Sequence, residues 1–260
     1  MTWALKTFTS GLKQSSIWMR LAFTDIQALY KRSVIGLAWV ALSFGLFIGV
    51  KILVFGSIAS GEADYFAIWL SIGFWLWTFI RNMVTDGARA FLGARGWILS
   101  RNIPLSIYVF QSITRAFISF LFSLPIIIIV ILVFKWYPTV SWLWAIPGFI
   151  MLILNGIWCT LLLATLCSRY NDLLHFMITF MLVMFFLTPI LYLPEQMGSR
   201  AIFLQYNPFT HYLAVVRDPI MGLGVPTFSW IVVGCFTLFG FAIALYIFQI
   251  LGRRVPFYVS

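Results

Sequence analysis

The stretch ITRAFISFLFSLPIIIIVILVF, residues 113–134, decides the fold class, because Arg115 near its beginning is its only charged residue. The hydrocarbon core of a bilayer is about 30 Å thick, and an α-helix crosses it with about 20 apolar residues. The stretch therefore predicts a membrane-spanning helix. Arg115 is expected to anchor the cytoplasmic end of this helix at the membrane interface.

The composition of the whole chain has the same character. Of its 260 residues, 62% are hydrophobic and 9% are charged, whereas soluble domains are about 45–50% apolar and about 25% charged. The net charge of +10 is spread in clusters between apolar runs rather than gathered in one patch. This distribution is typical of membrane topology and argues against nucleic acid as a partner. One membrane domain is the simplest interpretation.

Six apolar runs predict six membrane-spanning helices in an all-α polytopic membrane protein. The runs cover about 35–58, 65–80, 113–134, 142–166, 173–193 and 228–251. The second run is short for a bilayer crossing, so its helix is expected to continue toward Phe91. A further short helix is expected within 94–99. Lys51 lies near the outer end of the first run and is expected to extend its ammonium group to the interface.

The positions of the basic residues predict the orientation of the chain. One set lies in segments assigned to the cytoplasm: Lys6, Lys13, Arg20, Lys31, Arg32, Arg81, Arg89, Arg95, Arg101, Arg169, Arg253 and Arg254. The outer segments carry Lys135, Arg200 and Arg217. Both termini are therefore predicted to be cytoplasmic. The predicted divisions are a cytoplasmic leader at 1–34, a six-helix transmembrane domain at 35–254 and a cytoplasmic tail at 255–260.

An amphipathic helix is predicted over residues 18–30, before the first span. Its apolar face carries Trp18, Leu21, Ala22, Ile26 and Leu29, and its polar face carries Arg20, Thr24, Gln27 and Lys31. Such a helix lies in the inner membrane surface with its cations toward lipid phosphates. A polar helix that faces solvent is the alternative. Asp25 falls on the apolar side and does not fit the pattern. The residues assigned to this membrane-interface helix are Trp18, Arg20, Asp25, Tyr30, Lys31 and Arg32.

The segment 189–226 is unusual because it holds five prolines and stays rich in apolar residues. Asn207-Pro208 is a typical helix start, with an Asx cap followed by proline at the first helical position. Pro219 is expected to stop that helix. We predict two short re-entrant helices that enter the outer leaflet and return before the last span. A plain extracytoplasmic loop is the alternative.

Residue patterns for ATP hydrolysis, metal binding and nucleophilic catalysis are missing from the sequence. None of the five lysines follows a glycine, so the sequence has no phosphate-binding loop. His175 and His211 are isolated from other ligands, which predicts no metal site. The predicted spans also lack the acids of ion-coupled transporters. The chain is therefore expected to be a non-enzyme that binds no cofactor of its own, with energy supplied by a partner.

Three short motifs carry a resemblance to a known family. Residues 25–39 read DIQALYKRSVIGLAW, and Asn102-Ile103-Pro104 follows a basic turn. Residues 188–192 read TPILY and are followed by Tyr206-Asn207-Pro208 and Arg217-Asp218. In this order and spacing the motifs resemble type-2 ABC exporter permeases of the polysaccharide-export branch, which export O-antigen, capsule or teichoic acid.

The chain departs from that family at two positions. Leu29 stands where the family often has an arginine, so an ion pair from this position to Asp25 is excluded. Asn171 precedes Asp172 where members often read Arg-Asp, and Arg169 lies further back. A role in ATPase coupling for the pair at 171 and 172 is therefore open.

The resemblance implies a transport subunit and a set of partners. Two copies of the chain would form a homodimeric channel in the bacterial inner membrane. Two cytoplasmic ATPase subunits would bind ATP and Mg and drive export. An undecaprenyl-linked polysaccharide would be the substrate, most of all O-antigen for lipopolysaccharide biosynthesis, with membrane lipid around its carrier.

The resemblance also implies where the functional residues lie. The residues assigned to ATPase coupling are Arg89, Arg95, Gly96, Trp97, Arg101, Arg169 and Asp172. The candidates for the channel or outer gate are Trp75, Trp77, Tyr192, Asn207, Pro208, Phe209, Tyr212 and Arg217. Aromatic side chains suit a glycan path because sugar rings stack on them. Ordinary packing at the lipid or helix interface is the alternative for each.

Three other functions stay open at this stage. A stand-alone flippase for lipid-linked glycans would carry charge pairs within the membrane or inverted repeats, and neither is found. An integral-membrane glycosyl or acyl transferase would need a catalytic site. Its outer-side candidates are Glu62, Asp64, Glu195, His211 and Asp218. An accessory subunit with no pathway of its own would have a similar sequence.

Overall fold

The structure, a computed structural model, describes residues 2–31, 33–56, 63–101 and 103–260, with only the backbone for residues 55 and 56. All regular structure in this part of the chain is helical. The predicted all-α class is therefore confirmed. Glu62, Arg32 and the end of the first predicted span lie outside the described residues.

Thirteen α-helices follow one another in the described part of the chain. They are α1 (Thr2–Lys13), α2 (Ser15–Tyr30), α3 (Ala38–Gly56), α4 (Ala63–Ala88), α5 (Ala90–Gly93), α6 (Arg95–Ser100), α7 (Ser106–Val133), α8 (Ala145–Arg169), α9 (Asp172–Leu187), α10 (Ile202–Tyr206), α11 (Pro208–Met221), α12 (Thr227–Leu251) and α13 (Val255–Tyr258). Short 3₁₀ helices occupy Val140–Trp144, Pro194–Ala201 and Gly252–Arg254.

Four helical stretches are long and apolar enough to cross a membrane: Ala63–Ala88, Ser106–Val133, Val140–Arg169 and Thr227–Tyr258. They make the chain a multi-pass membrane protein. The apolar helices α3 and α9 occupy the other two predicted runs but are shorter in the described residues. At 1.5 Å per residue, the 16 residues of α9 extend over about 24 Å.

The fifth predicted run ends earlier than expected. The sequence predicted a span to residue 193, whereas α9 ends at Leu187. Thr188 is extended, with φ −94° and ψ 138°. Pro189 follows it, and a proline sterically disfavours the α conformation of the preceding residue. The proline-rich segment therefore begins one turn and a half before the predicted boundary.

The sequence missed α1 within the cytoplasmic leader. Trp3 packs on Phe248 of α12, with 5.1 Å between ring centroids. Phe8 packs on Phe110 of α7 at 5.4 Å, and the Ser106 hydroxyl donates to the Thr7 carbonyl. Apolar or small residues at positions 3, 4, 7, 8 and 11 carry the helical period that would have revealed it.

Helix α4 is the most deeply buried of the four long helices and contacts α7, α8, α9 and α11. It approaches α8 closely, and there the Thr160 hydroxyl donates to the Met83 carbonyl at 3.0 Å. Gly87 makes room for this contact, since a Cβ there would lie 2.6 Å from Thr160 Oγ1. Small residues of this kind let membrane helices pack tightly without a strong hydrophobic driving force.

Lys51 does not extend to an interface, so that prediction is wrong. Its side chain is 9% exposed. Its ammonium group lies 4.3 Å from the ring centroids of Phe47 and Phe74 and 4.5 Å from that of Phe185. Because α3 packs against α4 at this level and Phe185 comes from α9, three aromatic faces surround the cation.

The predicted cytoplasmic tail is folded onto the rest of the chain. Residues Val255 and Val259 are buried, and α13 contacts both α6 and α8. The residues at 255–260 therefore share a surface with the segments assigned to ATPase coupling.

Candidate functional site

The predicted coupling segment, residues 81–104, includes the end of α4 and the short helices α5 and α6 that precede α7. Ala94 has φ −95° and ψ 11° and separates α5 from α6. No residue of α6 is buried. Trp97 is 46% exposed and Leu99 is 50% exposed, so a short helix presents apolar side chains to its surroundings. Exposed apolar groups in a polar setting are typical of a surface that contacts another protein.

Two arginines of the predicted coupling set contact the same C-terminal segment. Arg95 donates a hydrogen bond to the Ser260 carbonyl. The Arg169 guanidinium lies 5.8 Å from the Tyr258 ring and 5.1 Å from the Tyr170 ring. Helix α13 thus lies between the two segments that the sequence assigned to coupling, namely α6 and the turn from α8 to α9.

The remaining coupling candidates are dispersed around this surface. Gly96 has open space where a side chain would be. The Arg101 guanidinium lies 5.4 Å from the Trp97 ring. Arg89 is exposed at the break between α4 and α5. Asp172 is exposed at the start of α9 and forms no ion pair within the described part of the chain.

The interface helix α2 packs along α7, and this contact explains Asp25. Its carboxylate Oδ2 accepts hydrogen bonds from Gln111 Nε2 at 2.6 Å and from Arg115 at 3.2 Å. Ala22 and Ile26 are buried on the same side, whereas Leu29 is 74% exposed. Arg115 therefore supplies the ion pair that residue 29 cannot form.

The other residues assigned to the interface helix lie around the same contact. The Trp18 ring lies 5.9 Å from the Phe110 ring of α7. Arg20 and Lys31 are exposed. Tyr30 is half-buried and lines a groove of about 660 Å³ that also contains Trp39.

The proline-rich segment, residues 189–226, contains α10 and α11. Asn207 caps α11, because its Oδ1 accepts from the Phe209 amide at 2.9 Å. Its Nδ2 donates to Thr188 Oγ1 at 3.0 Å, which ties the cap to the end of α9. Pro208 is the first residue of the helix, as predicted.

The predicted end of α11 is two residues too early. Pro219 lies inside the last turn, and the helix continues to Met221. Gly222 then adopts a left-handed conformation with φ 75°. The amide of Leu223 bonds to the Asp218 carbonyl at 3.0 Å. This arrangement is a glycine cap, so the glycine rather than the proline ends the helix.

Arg217 holds the proline-rich segment against α4. It is 2% exposed, and its guanidinium lies 3.4 Å from the centroid of the Trp69 ring. Its Nη1 donates to the Pro189 carbonyl at 2.6 Å. Asp218 lies 3.6 Å from its Nε.

The aromatic channel candidates occupy different surroundings. Trp75 stacks on Phe120 with 3.9 Å between centroids, and its Nε1 donates to Ser123 Oγ. Trp77 is 2% exposed and packs on Phe209 at 5.4 Å. The Tyr192 hydroxyl donates to the Leu187 carbonyl at 3.1 Å. Trp75 also lines the groove that contains Tyr30, whereas Trp77 lies in the core of the chain.

Tyr212 belongs to a polar network that joins α8, α11 and α12. Its hydroxyl donates to Asn155 Oδ1 at 2.9 Å, and the same oxygen accepts from Trp158 Nε1 at 2.8 Å. Asn155 Nδ2 donates to Thr237 Oγ1 at 2.7 Å. Such interhelical hydrogen bonds stabilise helix packing within a membrane.

The two histidines differ in their surroundings. The ring nitrogens of His211 lie 2.9 Å from Ser229 Oγ and from the Gln205 carbonyl. His175 is exposed on α9. Within the described residues, no group of three or more His, Cys, Asp and Glu could hold a metal ion.

Sequence reasoning missed several residues that organise these sites. Asn155 is a lone amide within an apolar run, which is a signal that could have been used. Trp69 gave no signal that distinguished it from the other tryptophans. Gln111, Ser112 and Arg115 recur at helical spacing on α7, and this spacing is a signal that could have revealed a polar stripe.

Three O-antigen export permeases are similar to this chain. Two O-antigen export system permease proteins RfbA from Klebsiella pneumoniae are 24% and 26% identical to it. They cover 82% and 80% of this chain and 83% and 80% of their own lengths. An RfbA permease from Myxococcus xanthus is 24% identical over 76% of this chain and 82% of its own length. No protein-family model matches the chain. The similarity agrees with the resemblance carried by the sequence motifs.

Proposed function

We propose that this chain, a type-2 ABC permease of the O-antigen export class, is the transmembrane subunit of an ATP-driven exporter of lipid-linked polysaccharide. The observation that carries the proposal is the similarity to O-antigen export permeases over about four fifths of the chain. The apolar helices support it, since they provide the multi-pass scaffold that a permease needs. The similarity favours this function over a stand-alone flippase or a membrane transferase.

In this proposal, α3 and α9 are spans in addition to the four long helices. The chain then crosses the inner membrane six times with both termini in the cytoplasm. The basic residues of α1, α2 and the predicted coupling segment support this orientation. Helices α10 and α11 form the re-entrant pair on the outer side. The domain division at 34 and 254 is retained, with α13 packed under the bundle.

ATP and Mg belong to a separate cytoplasmic ATPase. Its nucleotide-driven closure would push on α6, whose exposed Trp97 and Leu99 provide an apolar contact. The turn at Arg169 would be the second contact, and α13 would link the two. This is energetic coupling through packed elements that have two arrangements.

A second copy of the chain would complete the channel for an undecaprenyl-linked polysaccharide, most of all O-antigen. Trp75 is the candidate best placed for a glycan, because it lines an open groove beside α3. Trp77, Tyr212 and Arg217 are buried within one chain. We therefore assign these three to positioning the proline-rich segment rather than to direct contact with the glycan.

Co-purification with a cytoplasmic ATPase and replacement of Trp97 test this function. A strain that lacks the chain should lose surface O-antigen and retain the lipid-linked polymer inside. Wild-type protein should restore export, whereas Trp97→Ala should insert normally but fail to couple ATP hydrolysis to export. The double change of Gly96 and Trp97 should have a stronger effect of the same kind.

Trp144→Ala is the matched control, since Trp144 is 51% exposed at the end of the 3₁₀ helix before α8. It should support normal export. Export by the Trp97→Ala protein at the wild-type rate would reject the coupling assignment. Transport by the purified chain without an ATPase would reject the proposed function itself.

A further inference from the structure

A polar stripe runs along the first half of α7, although the helix is otherwise strongly apolar. Tyr108, Gln111, Ser112, Arg115 and Ser119 recur at intervals of one, three or four residues and line one cleft. The cleft has a volume of about 610 Å³ and lies between α7, α2 and the α4–α6 segment. Arg89 and Trp97 of the predicted coupling set also line this cleft, and the proposed export cycle assigns no ligand to it.

The cleft lies at the depth of lipid headgroups. The uncharged part of α7 begins directly after Arg115, and the uncharged part of α4 ends at Ile80, before Asp86. Both boundaries mark the end of the hydrocarbon layer, where charged side chains meet the interface. Ile26 and Leu29 of the amphipathic helix α2 form an apolar lip beside the charged groups.

Charges of both signs line the cleft. Asp25 and Arg115 pair with each other at 3.2 Å. Asp86 and Arg89 also line the cleft, and neither belongs to an ion pair within the described residues. Asp86 lies within the electrostatic influence of Arg115, Arg89 and Arg81 but pairs directly with none of them. Its carboxylate and the Arg89 guanidinium can therefore both contact a ligand.

Two buried hydroxyl groups in the cleft wall have no partner. Tyr108 Oη and Ser112 Oγ form no hydrogen bond to any described residue, and both residues are 2% exposed. Buried polar groups in proteins are almost always hydrogen-bonded, because an unpaired one costs free energy. The pair indicates that a polar ligand belongs in the cleft.

We propose that the cleft binds a phospholipid of the inner leaflet whose headgroup carries a phosphate and a primary ammonium, as in phosphatidylethanolamine. Asp86 receives the ammonium group. Arg89 and the hydroxyl groups of Tyr108 and Ser112 donate to the phosphate oxygens. A purely anionic lipid would leave Asp86 facing a like charge, and a soluble anion would make no use of the apolar lip. The lipid would brace α2 against α7 independently of the exported substrate.

Native mass spectrometry of the full chain tests this inference. The protein is purified from nanodiscs that contain equal amounts of phosphatidylethanolamine, phosphatidylcholine and phosphatidylglycerol with the same acyl chains. Phosphatidylethanolamine should be retained about five- to tenfold over either of the others, as expected for a charge-assisted hydrogen bond from the ammonium. Equal retention of the three lipids, or a preference for phosphatidylglycerol, would overturn the proposal.

Variants separate the two ends of the headgroup. Asp86→Asn should abolish the preference for the ethanolamine lipid over the choline lipid, and Asp86→Glu should keep it. Ser112→Ala should lower the retention of both lipids. Asp64→Asn, which removes an exposed acid in the first turn of α4, should leave the lipid preference unchanged. A wild-type preference that survives Asp86→Asn would reject Asp86 as the ammonium partner.

If Asp86→Asn does not fold, the wild-type protein decides the question with ethanolamine lipids methylated once, twice or three times on nitrogen. Retention should fall stepwise with each lost N–H. Retention that does not depend on methylation would overturn the proposal. The lipid preference is measured without export, so it stands or falls separately from the proposed function.

Discussion

The proline-rich segment and the predicted coupling segment are fastened to the chain in opposite ways. Arg217 of the first is 2% exposed and touches Trp69, Pro189 and Asp218. Arg95 of the second is exposed and donates a hydrogen bond to the Ser260 carbonyl. The position of a segment that is held by buried polar contacts is determined within its own chain. A segment with exposed charges and apolar groups is left for a partner to position.

The largest expected effect on stability comes from removing the buried contacts of the proline-rich segment. Arg217→Ala should lower the free energy of unfolding by about 3–5 kcal/mol, because it leaves the Asp218 carboxylate and the Pro189 carbonyl buried without a partner. Thermal unfolding in detergent measures the change. Arg200→Ala, at an exposed position of the same segment, should stay within about 0.5 kcal/mol. Equal effects of the two changes would show that the buried contacts do not hold the segment.

A second change tests the packing of α11 on α8. A Cβ at Gly148 would lie 2.3 Å from the Val215 carbonyl oxygen. Gly148→Ala should therefore push the helices apart and cost about 1–3 kcal/mol, as overpacking usually does. Gly234→Ala is the control, because no atom lies within 4 Å of its added Cβ. Chemical unfolding of both variants compares them, and a stable Gly148→Ala protein would contradict the close approach.

A smaller effect is expected from the polar network. Tyr212→Phe removes one hydrogen bond to Asn155, which keeps its bond from Trp158. The unfolding free energy should fall by about 0.5–1.5 kcal/mol. Tyr246→Phe, at a 65% exposed position of α12, should have no measurable effect. If Tyr212→Phe lowers the unfolding free energy more than Gly148→Ala does, the polar network contributes more to stability than the close approach of α11 to α8.

The smallest effect on stability is expected for the exposed coupling segment. Arg95→Ala should change the unfolding free energy by less than about 0.5 kcal/mol, since the residue is on the surface. The stimulation of the partner ATPase should nevertheless fall, because Arg95 joins α6 to α13. Lys13→Ala, another exposed cation, should leave both quantities unchanged. If Arg95→Ala destabilises the protein and leaves ATPase stimulation normal, Arg95 holds the fold together and does not take part in coupling.

Local patterns predicted much of the helical framework. The runs predicted for α8 and α12 lie within about three residues of the observed ends, whereas α7 begins at Ser106, about two turns before its predicted start. The start of α11 followed from Asn207-Pro208, because a capping side chain and a proline act within one turn. Composition alone identified the membrane class. The motif order in residues 25–39 and 188–218 indicated a resemblance to polysaccharide-export permeases, and three O-antigen export permeases are similar to the chain.

Contacts between distant residues could not be predicted. Lys51 was assigned to an interface because its position in the run suggested one, but its surroundings come from three different helices. Asp25 looked misplaced on its own helix until α7 supplied Gln111 and Arg115. Arg217 was named as a gate candidate from the resemblance, and its contact with Trp69 of α4 could not be predicted from the sequence.

The sequence by itself determined that this protein lies in the bilayer, that it is helical and that it carries no phosphate-binding loop. Those properties depend on composition and on the spacing of nearby residues. A bilayer favours long apolar segments whose backbone hydrogen bonds are formed within a helix. Only the tertiary structure decided which polar groups meet inside the bundle. The reason is physical: a buried charge or hydroxyl is stabilised by partners from other helices, and their identity depends on how those helices pack.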